Sequence, residues 1–212
     1  MNNQNKICQI LLLACFYGRK SQLQKKKRTD MLMIFMIWHK EEFIAHFQSK
    51  YSNPYPPAWM IAEIIPLGIL CNLFNNLKNK TIMKKVARQF ALPLPVFSSW
   101  ILLLANLRNL CGHHARLWNR EVPIISHALN NPVHPWINPA ITDMKRVYFR
   151  ICIIKYLLFT VSPNNTFTQK LKSLLAEFPT IDIKAMGFPA NWRSEPLWQD
   201  TPIQDTQDHN NN

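Results

Sequence analysis

The stretch Asn106–Arg120, NLRNLCGHHARLWNR, decides how this chain of 212 residues is interpreted. It follows an apolar run at residues 100–104 and contains three arginines and two histidines. If it forms one continuous helix, the 3.6-residue repeat separates a polar face from a more apolar one. The polar face would carry Asn109, His113, Arg116 and Arg120, and the opposite face Leu107, Cys111, His114 and Trp118.

Within this stretch, Arg108 and His113 fit the spacing R-x-x-x-x-H, and Asn109 directly follows the arginine. On an ideal helix, five residues correspond to a rotation of about 140°. The two side chains can therefore reach one phosphate only if the arginine extends around the helix or if the helix bends. We expect such a bend at Gly112, because glycine tolerates backbone conformations that other residues resist.

These residue types suit cleavage of RNA without a metal ion. An imidazole can accept a proton from a ribose 2′-OH or donate one to the leaving oxygen, and His113 would supply that group. The guanidinium of Arg108 stays charged and matches the geometry of phosphate. Asn109 can orient the histidine or bind a phosphate oxygen. Taken alone, the spacing favours a simpler interpretation, with interior histidines and a solvated arginine face, because short motifs often match by chance.

The complete string distinguishes these interpretations, because Leu107–Arg120 resembles the signature of the Abi family of abortive-infection proteins. In this signature alanine is usual where Gly112 stands here. Further resemblance lies at residues 56–60 (PPAWM) and 186–192 (MGFPANW). The resemblance covers about residues 39–192.

The resemblance implies an all-α, HEPN-like helical bundle with ribonuclease chemistry and a homodimeric site. In HEPN proteins the R-x-x-x-x-H residues are catalytic, which assigns catalysis here to Arg108 and His113, with Asn109 supporting them. Glu63 matches an acidic position on an upstream helix, and with His114 it is assigned a supporting role. RNA-binding positions would be Arg116, Asn119 and Arg120.

The charge of the chain favours a polyanionic partner. Lys and Arg number 25 against 12 Asp and Glu, a formal net charge of +13. Such an excess attracts RNA, DNA or an anionic membrane surface. Residues 79–90 place Lys84, Lys85 and Arg88 on a predicted helix, where they form either a phosphate track or an ordinary solvated face.

Cysteine usage argues against a disulfide framework and against a metal site. The five cysteines are odd in number, scattered and without a C-x-x-C pair, as expected in a reducing cytoplasm. Cys111, His113 and His114 lack a second ligand pair. We therefore expect no metal and no cofactor. We also expect no membrane span, because no apolar run reaches the necessary length.

The composition divides the chain into three parts. Residues 1–38 form an atypical amino-terminal segment that does not resemble the family, residues 39–192 form the HEPN-like domain, and residues 193–212 form a polar, disordered tail. Residues 7–17 also fit a lipoprotein signal ending at Cys15. The atypical beginning leaves a truncated gene copy open as an alternative.

Apolar periodicity and breaking residues predict six helical regions. Pro66 separates two helices, Thr142 caps the helix at 143–160, and Ser98 or Ser99 caps the helix that enters the motif. Trp59 and Phe74 are expected in the core. The six regions are 39–51, 58–77 with its break at Pro66, 79–90, 99 to about 123, 143–160 and 168–178.

The sequence thus predicts a cytoplasmic, metal-independent endoribonuclease toxin of phage defence that leaves a 2′,3′-cyclic phosphate. Its partners would be RNA, a second copy of the chain, and an antitoxin or a phage trigger. The alternatives are a non-catalytic RNA-binding or interaction protein and a truncated, inactive family member.

Overall fold

The computed structural model describes residues 41–53, 56–124 and 126–199. Within these ranges the chain contains α-helices and short 3-10 turns but no strand, which confirms the all-α class. Residues 1–40 and 200–212 lie outside the described chain, and with them lie the predictions for the signal-like run and most of the polar tail. The α-helices are α1 Glu42–Lys50, α2 Ala58–Ile64, α3 Leu67–Asn75, α4 Lys80–Gln89, α5 Leu94–Gly112, α6 Val147–Val161 and α7 Phe167–Glu177.

Two local signals determine where helices end or begin in this region, and the first of them, the break at Pro66, was predicted from the sequence. Pro66 stands between α2 and α3 in an extended conformation, since its ring prevents continuation of the preceding helix. Asn79 caps α4, because its side-chain oxygen accepts the backbone N–H groups of Thr81 and Ile82 at 3.0 and 3.2 Å. The region from Pro66 to α4 is therefore determined largely by local chemistry.

The centre of the fold is α5, which contacts α3, α4 and α6. Its Trp100 is fully buried and stacks on Trp136 with ring centroids 4.9 Å apart. The edge of Tyr156 meets the same indole at 5.5 Å. Burial of large aromatic surfaces here contributes strongly to stability. The buried side chains of α5 are Val96, Phe97, Trp100, Leu103, Ala105 and Leu107.

Our expectation that no apolar segment reaches membrane-spanning length was wrong for α5. By length and composition alone this helix passes such a test, with a mean hydropathy of 1.3. Helices in the core of soluble proteins pass the same test. Here α5 buries six side chains in the helical core and is followed directly by polar residues of the motif.

The start of α5 also differs from the prediction. The helix begins at Leu94, after Pro93, rather than at Ser98 or Ser99. Proline is accepted in a first helical turn because its missing N–H would have no partner there. The Ser99 hydroxyl donates to the Val96 carbonyl and accepts the N–H of His127, so it joins a loop to α5 instead of capping it.

The start of α6 is four residues later than predicted. The Asp143 carboxylate accepts the N–H of Lys145 at 2.8 Å, and Arg146 is extended with ψ 165°. Helical geometry therefore begins only at Val147. The Thr142 hydroxyl donates to the Asn138 carbonyl at 2.9 Å and caps no helix.

The carboxy-terminal residues pack on α6 and lengthen the folded part of the chain. Phe188 contacts Tyr148 with centroids 4.5 Å apart, and the Trp198 indole N–H donates to the Tyr148 hydroxyl at 3.0 Å. Leu197 and Trp198 are fully buried. The packed region therefore extends to Trp198, beyond the predicted boundary at residue 192.

The predicted core is correct for one aromatic residue and wrong for another. Phe74 is 1% exposed and meets Phe97 edge to face, whereas Trp59 is 45% exposed. On α1 the buried residue is Ile44, and Phe43 and Tyr51 lie at the surface. For α1 and α2, therefore, periodicity identified the helix but not the side that it buries.

Candidate active site at the end of helix α5

The predicted catalytic residues lie together at the carboxy-terminal end of α5. Arg108 and Asn109 occupy its last turns, and the Arg108 guanidinium donates to the Asn109 side-chain oxygen at 3.4 Å. His113 is the C-cap residue, and its N–H donates to the Asn109 carbonyl at 3.0 Å. All three side chains are exposed. In the described chain no hydrogen bond joins Arg108 to His113.

The helix ends at the pair of histidines, and this corrects the prediction of a helix continuing to Arg120. His114 donates its N–H to the Cys111 carbonyl and Ala115 to the Leu110 carbonyl, which is the bond pattern of a Schellman motif. His114 has φ +52°, in the left-handed region that reverses the chain direction. Gly112 is the last helical residue and introduces no bend.

The predicted polar stripe is therefore divided between two kinds of structure. Asn109 and His113 belong to the helix end, whereas Arg116 and Arg120 lie on an irregular segment beyond it. We call residues 114–122 the motif loop. The opposite face was also mispredicted, because only Leu107 of its four residues is buried. Cys111, His114 and Trp118 are exposed.

The loop turns back near its middle. Arg120 donates its N–H to the Leu117 carbonyl at 3.1 Å, and Asn119 has φ +54°. Asparagine accepts the left-handed conformation more readily than most residues. Arg116 and Arg120 flank this turn, and both are exposed.

The structure does not join the predicted supporting acid to the catalytic pair. Glu63 is exposed on α2, and in the described chain no hydrogen bond or ion pair connects it with Arg108 or His113. His114 stands beside the pair in sequence, and its backbone ends the helix. The supporting roles of these two residues stay predictions.

The basic residues of α4 form a second exposed region. Lys84, Lys85 and Arg88 are all at the surface. The turn at residues 90–93 leads from α4 directly into the start of α5. Arg88 therefore lies near the end of α5 opposite to His113, and α5 is about 28 Å long at 1.5 Å per residue. An RNA that contacts both regions must follow the length of this helix.

A family model for Abi-like proteins matches residues 6–119, which is more than half of the chain. The chain belongs to the Abi-like protein family. Membership associates it with abortive infection, a form of phage defence. No curated protein and no solved structure matches the chain significantly. The family match begins at residue 6, so our statement that residues 1–38 do not resemble the family was wrong.

Two arginines connect the motif loop with α6. Neither was among the site residues that we predicted from the sequence of this Abi-like chain. Arg146, which we had placed on the outward side of α6, donates to the carbonyl and side-chain oxygens of Asn119. Arg150 is 1% exposed and donates to the carbonyls of Lys145, Arg146 and Val122. An arginine among apolar helix positions was the available sequence signal.

Burial also sets the chemistry of several other groups. Burial lowers the pKa of Arg150. The nearby Asp143 carboxylate acts in the opposite direction, but the effect of burial is larger. Burial raises the pKa of the Cys71 thiol to about 11, and that thiol donates to the Ile101 carbonyl. Cys71 is therefore inert at neutral pH, whereas Cys111 is an exposed free thiol beside the motif histidines.

Across the described ranges, no group of three His, Cys, Asp or Glu side chains could hold a metal ion.

Proposed function

We propose that this Abi-like protein is a HEPN-type endoribonuclease toxin that cleaves cellular or phage RNA in the cytoplasm during abortive infection. The observation that supports this most directly is the placement of Arg108, Asn109 and His113 at one exposed helix end. A proton-transfer group and a permanent cation there can reach the same RNA backbone. The net charge of +13 provides attraction to that polyanion.

In the proposed reaction, His113 accepts the proton of a ribose 2′-OH as that oxygen attacks the adjacent phosphorus. The bond from phosphorus to the 5′-oxygen breaks, and the leaving oxygen receives the proton that His113 accepted, so the imidazole ends neutral. The products are a 2′,3′-cyclic phosphate and a 5′-OH. Arg108 stabilises the negative charge that develops on the phosphorane oxygens. Asn109 accepts a hydrogen bond from Arg108 and so orients the guanidinium.

We propose further that the active form is a homodimer. The catalytic groups of one chain are fully open to solvent, whereas transition-state stabilisation by charge is much stronger when water is excluded. A second copy over the end of α5 would exclude water and bring a second His113 near the first. Sedimentation velocity should then show a dimer at micromolar concentration.

RNA binding is assigned to Arg116 and Arg120 of the motif loop and to Lys84, Lys85 and Arg88 of α4. Asn119 contributes less than we expected from the sequence, because its side-chain oxygen is occupied by Arg146. Each phosphate contact that is lost should reduce the salt dependence of binding. An antitoxin or a phage trigger would control access to this surface.

The deciding experiment incubates purified protein with a labelled RNA pool in the presence and absence of EDTA. The matched control for His113→Ala is His127→Ala, which removes another exposed imidazole outside the motif. We expect cleavage that resists EDTA, a loss of roughly 10²-fold or more in His113→Ala, and no loss in His127→Ala. Equal cleavage by wild type and His113→Ala would refute the assignment.

A second candidate is a non-catalytic RNA-binding or interaction protein. It is favoured by the absence of a hydrogen bond between Arg108 and His113 within the described chain. This alternative predicts salt-sensitive binding without cleavage. Arg116→Ala combined with Arg120→Ala should then weaken binding far more than His113→Ala does.

A further inference from the structure

The strongest connection between the motif and the rest of the fold is made by one side chain, that of Arg146. Its Nη1 donates to the Asn119 carbonyl oxygen at 3.1 Å and to the Asn119 Oδ1 at 2.8 Å. Its Nη2 donates to Glu121 Oε1 at 2.9 Å, and its Nε lies 3.5 Å from Asp143 Oδ2. Three nitrogens of one planar group are thus engaged at once, a geometry that lysine cannot reproduce.

The stem of Arg146 is held in place by Gly187. A Cβ on residue 187 would lie 2.4 Å from the Arg146 Cβ and 3.0 Å from its Cγ. Gly187 also has φ +88°, which other residues adopt only with strain. Glycine is therefore required here for two independent reasons. The backbone at Gly187 therefore lies directly against the aliphatic stem of Arg146.

Two further bonds attach the motif loop to the same part of the fold. The Val122 N–H donates to the Lys145 carbonyl at 3.0 Å. The Trp118 indole N–H donates to the Asp182 carbonyl at 3.1 Å. The loop is thus held at Trp118, Asn119, Glu121 and Val122. Arg120 lies between two of these positions, and Arg116 lies two residues before the first of them.

We propose that Arg146 is a positioning residue that fixes the motif loop, so that Arg116 and Arg120 present a preformed phosphate-binding surface beside His113. The phosphate-binding role of that surface rests on the proposed function. The fixing of the loop by Arg146 does not depend on the proposed function. Arg146 itself is directed toward the loop and contacts no phosphate. Its loss should therefore affect RNA binding more than proton transfer.

The first test measures hydrogen exchange in wild type, Arg146→Ala and Arg146→Lys. Lys170→Ala is the control, because it removes an exposed positive charge on α7 away from the loop. We expect the amides of Arg120 and Val122 to exchange roughly tenfold faster in both Arg146 variants. The amides of His113 and Ala115, which bond within the helix end, should be unchanged. Trypsin should also cleave faster after Arg116 and Arg120.

The second test separates RNA binding from chemistry. Arg146→Ala should raise KM for RNA roughly tenfold and change kcat little, since one or two phosphate contacts lose their fixed positions. Arg146→Lys should not restore KM, although it keeps the charge. Asn119→Gly keeps the left-handed turn and removes one acceptor, so it should produce a smaller shift in the same direction without a risk to the core.

Unchanged exchange at Arg120 and Val122 in Arg146→Ala would overturn the fixing of the loop, whether or not the protein cleaves RNA. Restoration of KM by lysine would overturn it too, because charge alone would then suffice. If wild type cleaves no RNA, the proposed nuclease fails. The positioning role of Arg146 is then tested by measuring the dissociation constant for RNA in the same variants. An unchanged dissociation constant in Arg146→Ala would contradict that role.

Discussion

The two halves of the motif differ in what determines their structure. Residues 106–112 are helical and His113 is their C-cap, and their backbone bonds run to neighbours within the same turn or the next. Residues 114–122 have no regular structure and are held by the side chains of Arg146 and Arg150 and by the backbone carbonyls of Lys145 and Asp182. One continuous sequence signature therefore combines a locally determined half, which carries the proposed catalytic residues, with a second half whose structure depends on distant residues and whose arginines are proposed to bind phosphate.

The largest effect is expected from breaking the buried attachment of the loop. Arg150→Ala removes the donor shared by the carbonyls of Lys145, Arg146 and Val122, of which the Lys145 carbonyl keeps the Val122 N–H. We expect a loss of about 3 kcal/mol in the free energy of unfolding. Urea denaturation followed by circular dichroism measures it.

Arg150→Met provides the comparison for that measurement. Methionine keeps much of the volume and removes the cost of burying a charge, so it should be less destabilising than alanine. A stability of Arg150→Ala within about 1 kcal/mol of wild type would show that the guanidinium does not hold the loop.

The helical half should respond to loss of packing rather than to loss of a polar bond. Leu107 is 8% exposed on α5, and Leu107→Ala should cost about 2 kcal/mol through lost burial and a cavity. Leu102 is 37% exposed on the same helix, so Leu102→Ala should cost much less. The same denaturation experiment compares them, and equal losses would contradict the burial pattern of α5.

The junction between the halves should tolerate glycine well. His114 occupies the left-handed position that ends α5, where a side chain is strained. His114→Gly should therefore raise stability by about 0.5–1 kcal/mol, and His114→Ala should not, since alanine keeps the strain. Ala91 has φ +54° at the equivalent position after α4, so Ala91→Gly should raise the stability in the same way. A loss of stability in both glycine variants would be incompatible with these helix ends.

The smallest effect concerns pH and a histidine outside the motif. His134 packs on Phe159 and Tyr156, and burial lowers its pKa below the ordinary 6.5. The unfolded chain then binds the proton more tightly, so this contribution to stability is complete above pH 6.5 and is lost as the pH falls below it. Thermal unfolding from pH 8 to 5 should show this decline, and His134→Phe should reduce it.

Several features were predictable because their causes are local. Asn79 caps α4, Pro66 separates two helices, and apolar spacing locates α1, α4 and α7 near their observed bounds. The candidate site residues were chosen because a long, specific string identified the family, and the family model confirms that membership. The end of α5 was missed, since a left-handed histidine gives no strong signal where Gly112, two residues earlier, offers a more obvious one.

The sequence by itself determined the helical class, the membership of the Abi-like family and the identity of the candidate catalytic residues. These follow from short-range propensities and from a signature of contiguous residues. Only the tertiary structure decided that the motif is half helix and half loop, and that Arg146, Arg150 and Gly187 hold the loop. The physical reason is that a segment without regular backbone bonds takes its shape from whatever packs against it, and here those partners lie more than twenty residues away in the chain.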